Sequence, residues 1–333
     1  SELLGQSQAT IADFIGTENY DIGHMFATGP GGVVSGRVCN NSNKARGITG
    51  TGVPVGSGFE GILMHEIGHQ FSAGHTWNGD ANGCSPGQLS TVSAYEPGSG
   101  STIMGYAGLC GDQNVQRRRD LYFHQKSLEQ MWDWASGFAN DCAQKTSTGN
   151  GAPVADAGLD YTIPRRTPFK LVGFANDPDG KESLTYCWEQ FDLGDPGIPE
   201  PSNTTGPMVR SFPPEVSATR FIPRLEDYRD SFGQSTDWEI LSSVDRTMNF
   251  VLTVRDNNPA GGQVGVDNMV ITVIRSADRF QVTSQNFVNL TYDGGSMQEV
   301  TWRVSNTNVA PINTTSVNIL LSTDGGLTFD RVL

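Results

Sequence analysis

His65-Glu66-Ile67-Gly68-His69-Gln70-Phe71-Ser72-Ala73-Gly74-His75 (HEIGHQFSAGH, residues 65–75) gathers three of the five histidines of a 333-residue chain into eleven positions. A four-residue spacing puts His65 and His69 on one face of a helix, so both imidazoles reach a single ion. Glu66 is offset from that pair and can hydrogen-bond a water at the ion without occupying a coordination position. Gly74 is placed to end the helix, after which His75 swings back as a third nitrogen ligand. Three neutral imidazoles leave a tetrahedral Zn2+ one open position, the pattern of a catalytic rather than a closed structural site. Such a metal lowers the pKa of water to about 7, with Glu66 placed to take the proton. Ser57 and Glu60 read as a capping box that starts the helix at Gly58. Leu63, Ile67 and Phe71 form a separate apolar stripe expected to face the core.

The rest of the chain bounds what such a site could serve. The length allows two or three domains. Forty glycines, seventeen prolines and 17% charged residues point to loop-rich, β-rich structure. A net charge of −14 argues against nucleic acid or an anionic membrane surface as partner, since both ask for basic patches. The one basic run, Arg117-Arg118-Arg119, reads as a solvated loop. No apolar stretch approaches the roughly 18 residues of a membrane span, and no signal peptide is present. The chain does not start with Met, which suggests a processed product or an excised fragment.

Residues 1–145 carry all the histidines and the clearest helical signals. KTSTGNGAP (145–153) reads as polar, with the linker at 146–153. Residues 154–275 read as all-β, with NFVLTV (249–254) and NMVITVI (268–274) as strands between Gly- and Pro-rich turns. A second break precedes 278–333, where VTWRV (300–304) and VNILLS (317–322) start another strand set that is too short for a full sandwich. Of the five cysteines, Cys39 and Cys142 bracket the histidine region and Cys84 and Cys110 flank a glycine-rich segment. Two disulfides with Cys187 left over are expected, implying an oxidising compartment. In LTYCWEQ, Cys187 points away from the face shared by Leu184, Tyr186 and Trp188.

With its third histidine six residues beyond the second, the motif resembles HExxHxxGxxH of the metzincin zinc endopeptidases. STIMGYAGLCG (101–111) is similar to their methionine turn, with Met104 expected beneath the metal. Tyr106, in the Met-x-Tyr form of astacins and serralysins, is implied as a zinc ligand or oxyanion stabiliser. The wider text (NYDIGHMFATG, KARGITG, AYEPGSGSTIMGYAGLCG) looks most like bacterial reprolysin-like metalloproteases over residues 10–142. YDIGHMFATG (20–29) would then be the edge strand above the cleft, where a substrate backbone adds as a further strand. Ala107 to Leu109 would shape the specificity pocket. Ser72 stands where the family's motif has glycine. Only 64 residues precede His65, so the family's early strands and first long helix are expected to be absent.

His24 and His124 read as packing residues. His124 precedes a helix capped by Ser127 with Gln130, ended by Gly137, and burying Leu128, Met131, Trp132 and Ala135. Residues 154–275 resemble polycystic-kidney-disease-like and immunoglobulin-like sandwiches. There Asp177 and Asp179 are candidate Ca2+ ligands, with a plain Asx turn as the alternative. STDGGLTF (322–329) looks like the sialidase Asp box, a hairpin turn and not a catalytic motif. The resulting expectation is a multidomain chain: an N-terminally truncated α+β metzincin-like domain followed by all-β sandwiches. The site is Zn2+ on His65, His69 and His75 with Glu66 as general base and Tyr106 assisting. Its substrate is protein or peptide and its setting extracellular; oligomeric state is not readable. One alternative is an adhesive β-sandwich protein carrying an inactive metzincin remnant. Another is a zinc hydrolase with Glu96 as a distal ligand.

Overall fold

The computed structural model describes residues 2–180, 183–231, 233–287 and 289–333. Helix α1 (Glu2–Ile15) opens the chain and rests on the segment before the central strand. There the Ser7 hydroxyl donates to the Ala45 carbonyl at 2.7 Å, and Gln8 Oε1 accepts from the Ala45 amide at 2.8 Å. A helix therefore does precede the first strand, contrary to expectation. Leu4 is its only fully buried apolar side chain, so it carries no apolar stripe by which periodicity would reveal it.

Strands β1 (Met25–Ala27), β2 (Gly31–Val34) and β3 (Gly47–Gly50) form a sheet in the order β1-β3-β2. The stretch 20–29 contributes only β1, which runs parallel to β3. The antiparallel edge nearest the motif helix is β2 instead. Gly32 on that edge has no room for a side chain: a Cβ there would lie 2.3 Å from the Glu66 carboxylate.

Helix α2 (Ser57–Gln70) carries the first two motif histidines. Its N-cap is Gly56, with no side-chain cap, so the expected Ser57–Glu60 box does not form; Ser57 is already helical. Its end also differs from expectation. Ser72, not Gly74, adopts the left-handed conformation (φ 77°). The Ala73 amide then donates to the Gly68 carbonyl and the Ser72 amide to the His69 carbonyl, both at 2.9 Å, which is a Schellman closure. Serine thus occupies a conformation that the family's glycine would adopt without strain. The buried face of α2 is Gly61, His65, Glu66, Gly68 and Gln70, while Leu63, Ile67 and Phe71 are only half-buried. The reason is close packing at Gly68, where a Cβ would come within 2.6 Å of the Met104 sulfur.

Helix α3 (Gln125–Ser136) ends at Gly137 as expected. Its N-cap is His124, whose Nδ1 accepts from the Lys126 amide at 3.1 Å, rather than Ser127. Gln130 reaches instead to the amide of Gly74 at 2.9 Å, bracing the loop before His75. Trp132 is 67% exposed, and Trp134 turns inward to donate to the Val38 carbonyl at 3.2 Å. Disulfides join Cys39 to Cys142 and Cys84 to Cys110; Cys187 is free and buried.

Beyond an exposed stretch at 141–149 come β4 (Val154–Asp156), β5 (Tyr161–Pro164), β6 (Phe169–Val172), β7 (Phe174–Asn176), β8 (Thr185–Gln190) and β9 (Thr219–Ile222). A short helix α4 (Leu225–Asp230) precedes β10 (Arg246–Arg255) and β11 (Val264–Ile274). The main sheet has the order β5-β11-β10-β8, with β4-β7 and β6-β9 as two-stranded companions. It is mixed, since β5 runs parallel to β11, and the sheets are smaller than two full antiparallel layers. Trp188, Phe250, Leu252 and Met269 meet Leu171 and Ile222 in its core. The opposite face of β8 and β10 lies against the first region. There Glu189 accepts from the Gln125 amide at 2.8 Å, Thr253 donates to Gln125 at 3.1 Å, and Arg255 donates to the Phe123 carbonyl at 3.0 Å. The last residues form two strand pairs, β12 (Gln281–Val282) with β13 (Trp302–Arg303), and β14 (Leu320–Leu321) with β15 (Arg331–Val332). Asp324 closes the turn between the latter pair by accepting from the Leu327 and Thr328 amides at 3.0 and 2.9 Å.

Candidate metal centre

His65 and His69 project from α2, and the Schellman closure at Ser72 returns the chain so that His75 faces them. The three Nε2 atoms converge: His69 Nε2 lies 3.1 Å from that of His65 and 3.1 Å from that of His75. Each Nδ1 donates to a backbone carbonyl: His65 to Ile103 at 2.8 Å, His69 to Ala73 at 2.8 Å, and His75 to Gln88 at 2.6 Å. Carbonyls only accept, so each Nδ1 carries the proton and each Nε2 presents a bare lone pair. Three lone pairs aimed at one point repel unless a cation lies between them. Ligands about 2.0–2.1 Å from a tetrahedral Zn2+ stand about 3.3–3.4 Å apart, close to what the imidazoles already have.

Burial keeps the rings neutral, as metal ligation requires. Desolvation, reinforced by the neighbouring His69, holds His65 well below the usual histidine range. His69 is lowered by burial, and His75 falls to about 4 by burial and the charge of His69. These side chains fit a divalent metal. Among the described residues one other group brings three ligand-type atoms together, Asp21 with Cys39 and Cys142, but those sulfurs are bonded to each other.

Glu66 is 6% exposed under Gly32. Burial pushes its carboxyl up to about 7 while the positive charge of Arg119 opposes the rise. Tyr106 packs its ring 4.6 Å from that of His75 and 5.7 Å from that of His65. Burial and then the Glu66 charge raise its hydroxyl pKa, so it is a neutral donor at pH 7. Met104 is fully buried with Ala73 and Ile103, against α2 at Gly68 between the two helical histidines.

Glu96 is not a distal ligand. Its carboxylate is buried and spent on the turn: Oε1 accepts from the Ser101 and Thr102 amides at 2.8 and 3.1 Å, and Oε2 from the Thr76 and Thr102 hydroxyls at 2.5 and 2.6 Å. It thereby ties the residue after His75 to the segment before Met104. His24 packs as expected, donating from Nδ1 to Gln70 Oε1 at 2.7 Å and accepting from Thr49 at 2.8 Å. His124 is fully buried, facing Glu189 at 3.8 Å.

The Ca2+ expectation at Asp177 and Asp179 finds no support among the described residues. Asp177 Oδ1 accepts from the Asp179 amide at 2.7 Å, an Asx turn, and neither residue joins a group of three converging ligand atoms among the described residues. Sequence reasoning missed Arg119. Arg117 and Arg118 are exposed, but Arg119 turns inward and donates from Nε to the Gly105 carbonyl at 2.8 Å. Its position in an unbroken basic run gave no signal of this. Ala107 is buried and Leu109 is 51% exposed on the same turn.

Residues 1–132 match the family model described as metallo-peptidase family M12B, reprolysin-like. Over that stretch the chain is similar to reprolysin-like metallopeptidases. The match covers fewer than half of the 333 residues and stops within α3, so it leaves the β-rich remainder unassigned. No curated protein matches the chain. The matched stretch contains the whole histidine cluster, Glu66, Met104, Tyr106 and Arg119. The remaining strands and loops reach it through the contacts at residues 123–125, through the loop around Met104, where the Ser101 hydroxyl donates to the Ser211 carbonyl at 3.1 Å, and through Asn78, which donates to the Asp195 carbonyl at 3.0 Å.

Proposed function

We propose that the chain is a zinc-dependent endopeptidase that hydrolyses protein or peptide substrates, with His65, His69 and His75 holding the metal. The convergence of three lone-pair nitrogens beside a buried glutamate carries the reading. When bound, Zn2+ supplies Lewis acidity and lowers the pKa of water. Glu66 takes the proton from the water that attacks the peptide carbonyl, then passes it to the amide nitrogen as the C–N bond breaks. Burial favours this shuttle, because a carboxylate out of bulk water is a stronger base than an exposed one. Tyr106 donates its hydroxyl to the carbonyl oxygen as charge builds there. Met104 floors the site without binding the metal, and Gly32 on β2 lets an extended substrate approach Glu66.

Two disulfides and the family match favour an extracellular setting. On this reading residues 1–145 are the catalytic unit, 146–153 a linker, and 154–275 an accessory sandwich of immunoglobulin or polycystic-kidney-disease type, with a further unit over 278–333. The test is Glu66→Ala. Zinc content, measured by mass spectrometry, should be unchanged, because no ligand is removed. Cleavage of casein or a fluorogenic peptide should fall by about 10²–10⁴. Undiminished turnover in that variant would sink the mechanism.

A further inference from the structure

Arg119 has no part in the chemistry above, yet it is built into the same site. Its Nε is tethered to the carbonyl of Gly105, the residue between Met104 and Tyr106. Among the described residues the two terminal nitrogens bond no acceptor, and neither is sealed from solvent. The side chain is half-buried, and its charge acts on all five groups of the centre: His65, Glu66, His69, His75 and Tyr106. Half-buried cations in folded proteins are normally paired, since desolvation costs more than an unpaired charge recovers. This one is held by its inner nitrogen only and leaves both outer ones free to meet something from outside.

We propose that Arg119 binds a carboxylate of the peptide substrate and so makes the enzyme prefer an acidic group close to the scissile bond. With Nε anchored, the planar fork still presents two parallel N–H donors, the match for two carboxylate oxygens. In a chain of net charge −14, most of the surface repels an acidic peptide. A cation tethered between Met104 and Tyr106 therefore fixes where its carboxylate sits. The same chemistry is offered by an Asp or Glu side chain and by a free C-terminus, and the inference rests on the peptidase reading.

The experiment uses the zinc-loaded full chain and peptides that differ at one position, with Glu, Gln or Lys placed in turn within three residues either side of the cleaved bond. A second pair of peptides ends in carboxylate or amide. At one position Glu should exceed Gln in kcat/KM by about 10- to 100-fold, chiefly through KM, as a charge-assisted bidentate pair provides. Preference for the C-terminal carboxylate over the amide would assign the pocket to chain ends instead. Arg119→Gln should erase the discrimination, and Arg119→Glu should turn it toward Lys. Calorimetric binding of the Glu and Gln peptides to Glu66→Ala protein repeats the comparison without turnover. Failure of all cleavage would count against the peptidase reading, while the binding arm still judges Arg119. Equal handling of acidic and neutral peptides by the wild-type chain, in cleavage and in binding, would overturn the proposal.

Discussion

Between residues 57 and 123 the interior is largely polar. His65, Glu66, Gln70, Thr76, Glu96, Ser99, Ser101 and Thr102 are all buried, and the apolar cluster around Met104 has three fully buried members. Between residues 154 and 274 the proportions reverse, with fifteen buried apolar residues in one continuous cluster. The first region cannot draw most of its stability from apolar burial, which contributes roughly 25 cal/mol per Å². It relies on directional bonds and on two disulfides found only in that half of the chain, and it holds three facing lone pairs that a cation would relieve. The second region also has buried hydrogen bonds, such as Arg220 to Glu239 at 2.8 Å, but no disulfide and no facing histidine cluster among the described residues. The difference teaches where function has been placed: in the part whose interior is polar and costly to arrange.

The strongest test of this contrast is metal removal. Chelation, or His69→Ala, should abolish peptidase activity and reduce bound zinc to background. Amide hydrogen exchange should then rise across residues 57–123, since a ligand that binds only the folded form stabilises it. Exchange in β10 and β11 should stay as it was. Equal acceleration in both regions would erase the distinction.

Phe250 provides the converse. It is fully buried in the apolar cluster, with its ring edge-on to Phe169 at 5.8 Å between centroids. Phe250→Ala should cost about 3–5 kcal/mol in urea unfolding, with or without zinc. A cost that depends on metal would mean that the two regions unfold as one unit.

The third prediction concerns Glu66 in metal-free protein. Its carboxyl, ordinarily near 4.5, is raised to about 7 by burial. Between those values the folded state holds a proton that the unfolded chain has released. Stability from this group therefore falls as pH rises through the window. Glu66→Gln should be more stable than wild type above pH 7, by on the order of 3 kcal/mol, with the advantage fading toward pH 4.5. Comparing the two proteins at each pH cancels the opposite contribution of the buried histidines. Zinc should shrink the difference, because a nearby cation favours the carboxylate.

The smallest effect is expected at Ser72. A left-handed conformation costs a non-glycine residue about 1–2 kcal/mol. Glycine returns about 0.4–1 kcal/mol of that through the entropy of the unfolded chain. Ser72→Gly should thus raise stability by less than about 1 kcal/mol, measured by denaturation, and leave the zinc site in place.

The convergence of His65, His69 and His75 was legible because coordination chemistry imposes its own spacing on the sequence, whatever surrounds it. Met104 and Tyr106 came with the family resemblance to the same motif, and the cysteine pairs came from Cys39 and Cys142 bracketing the histidine region and Cys84 and Cys110 flanking a glycine-rich segment. What failed was set by contacts between residues distant in sequence. Ser57 and Ser127 were assigned caps from local pattern, yet the caps are Gly56, one residue earlier, and His124, three residues earlier. The stripe Leu63, Ile67, Phe71 lost to a face chosen by Gly68 against Met104, a contact across thirty-six positions. Arg119 could not be told from its neighbours, since nothing in three consecutive arginines says which will find the Gly105 carbonyl. The parallel pairing of β5 with β11 spans 110 residues, and no local period encodes it.

The seam between the two regions has a mechanical consequence. The exposed residues 141–149 look like a hinge, but buried partners lie beside them: Gln125 bonds both Glu189 and Thr253, and Arg255 reaches Phe123. Cutting the tether would therefore not set the halves swinging. A nicked chain would stay assembled by its hydrogen-bonded seam, and a pull on the strands would arrive at the first turn of α3. From there Gln130 hands it to Gly74, one residue short of His75.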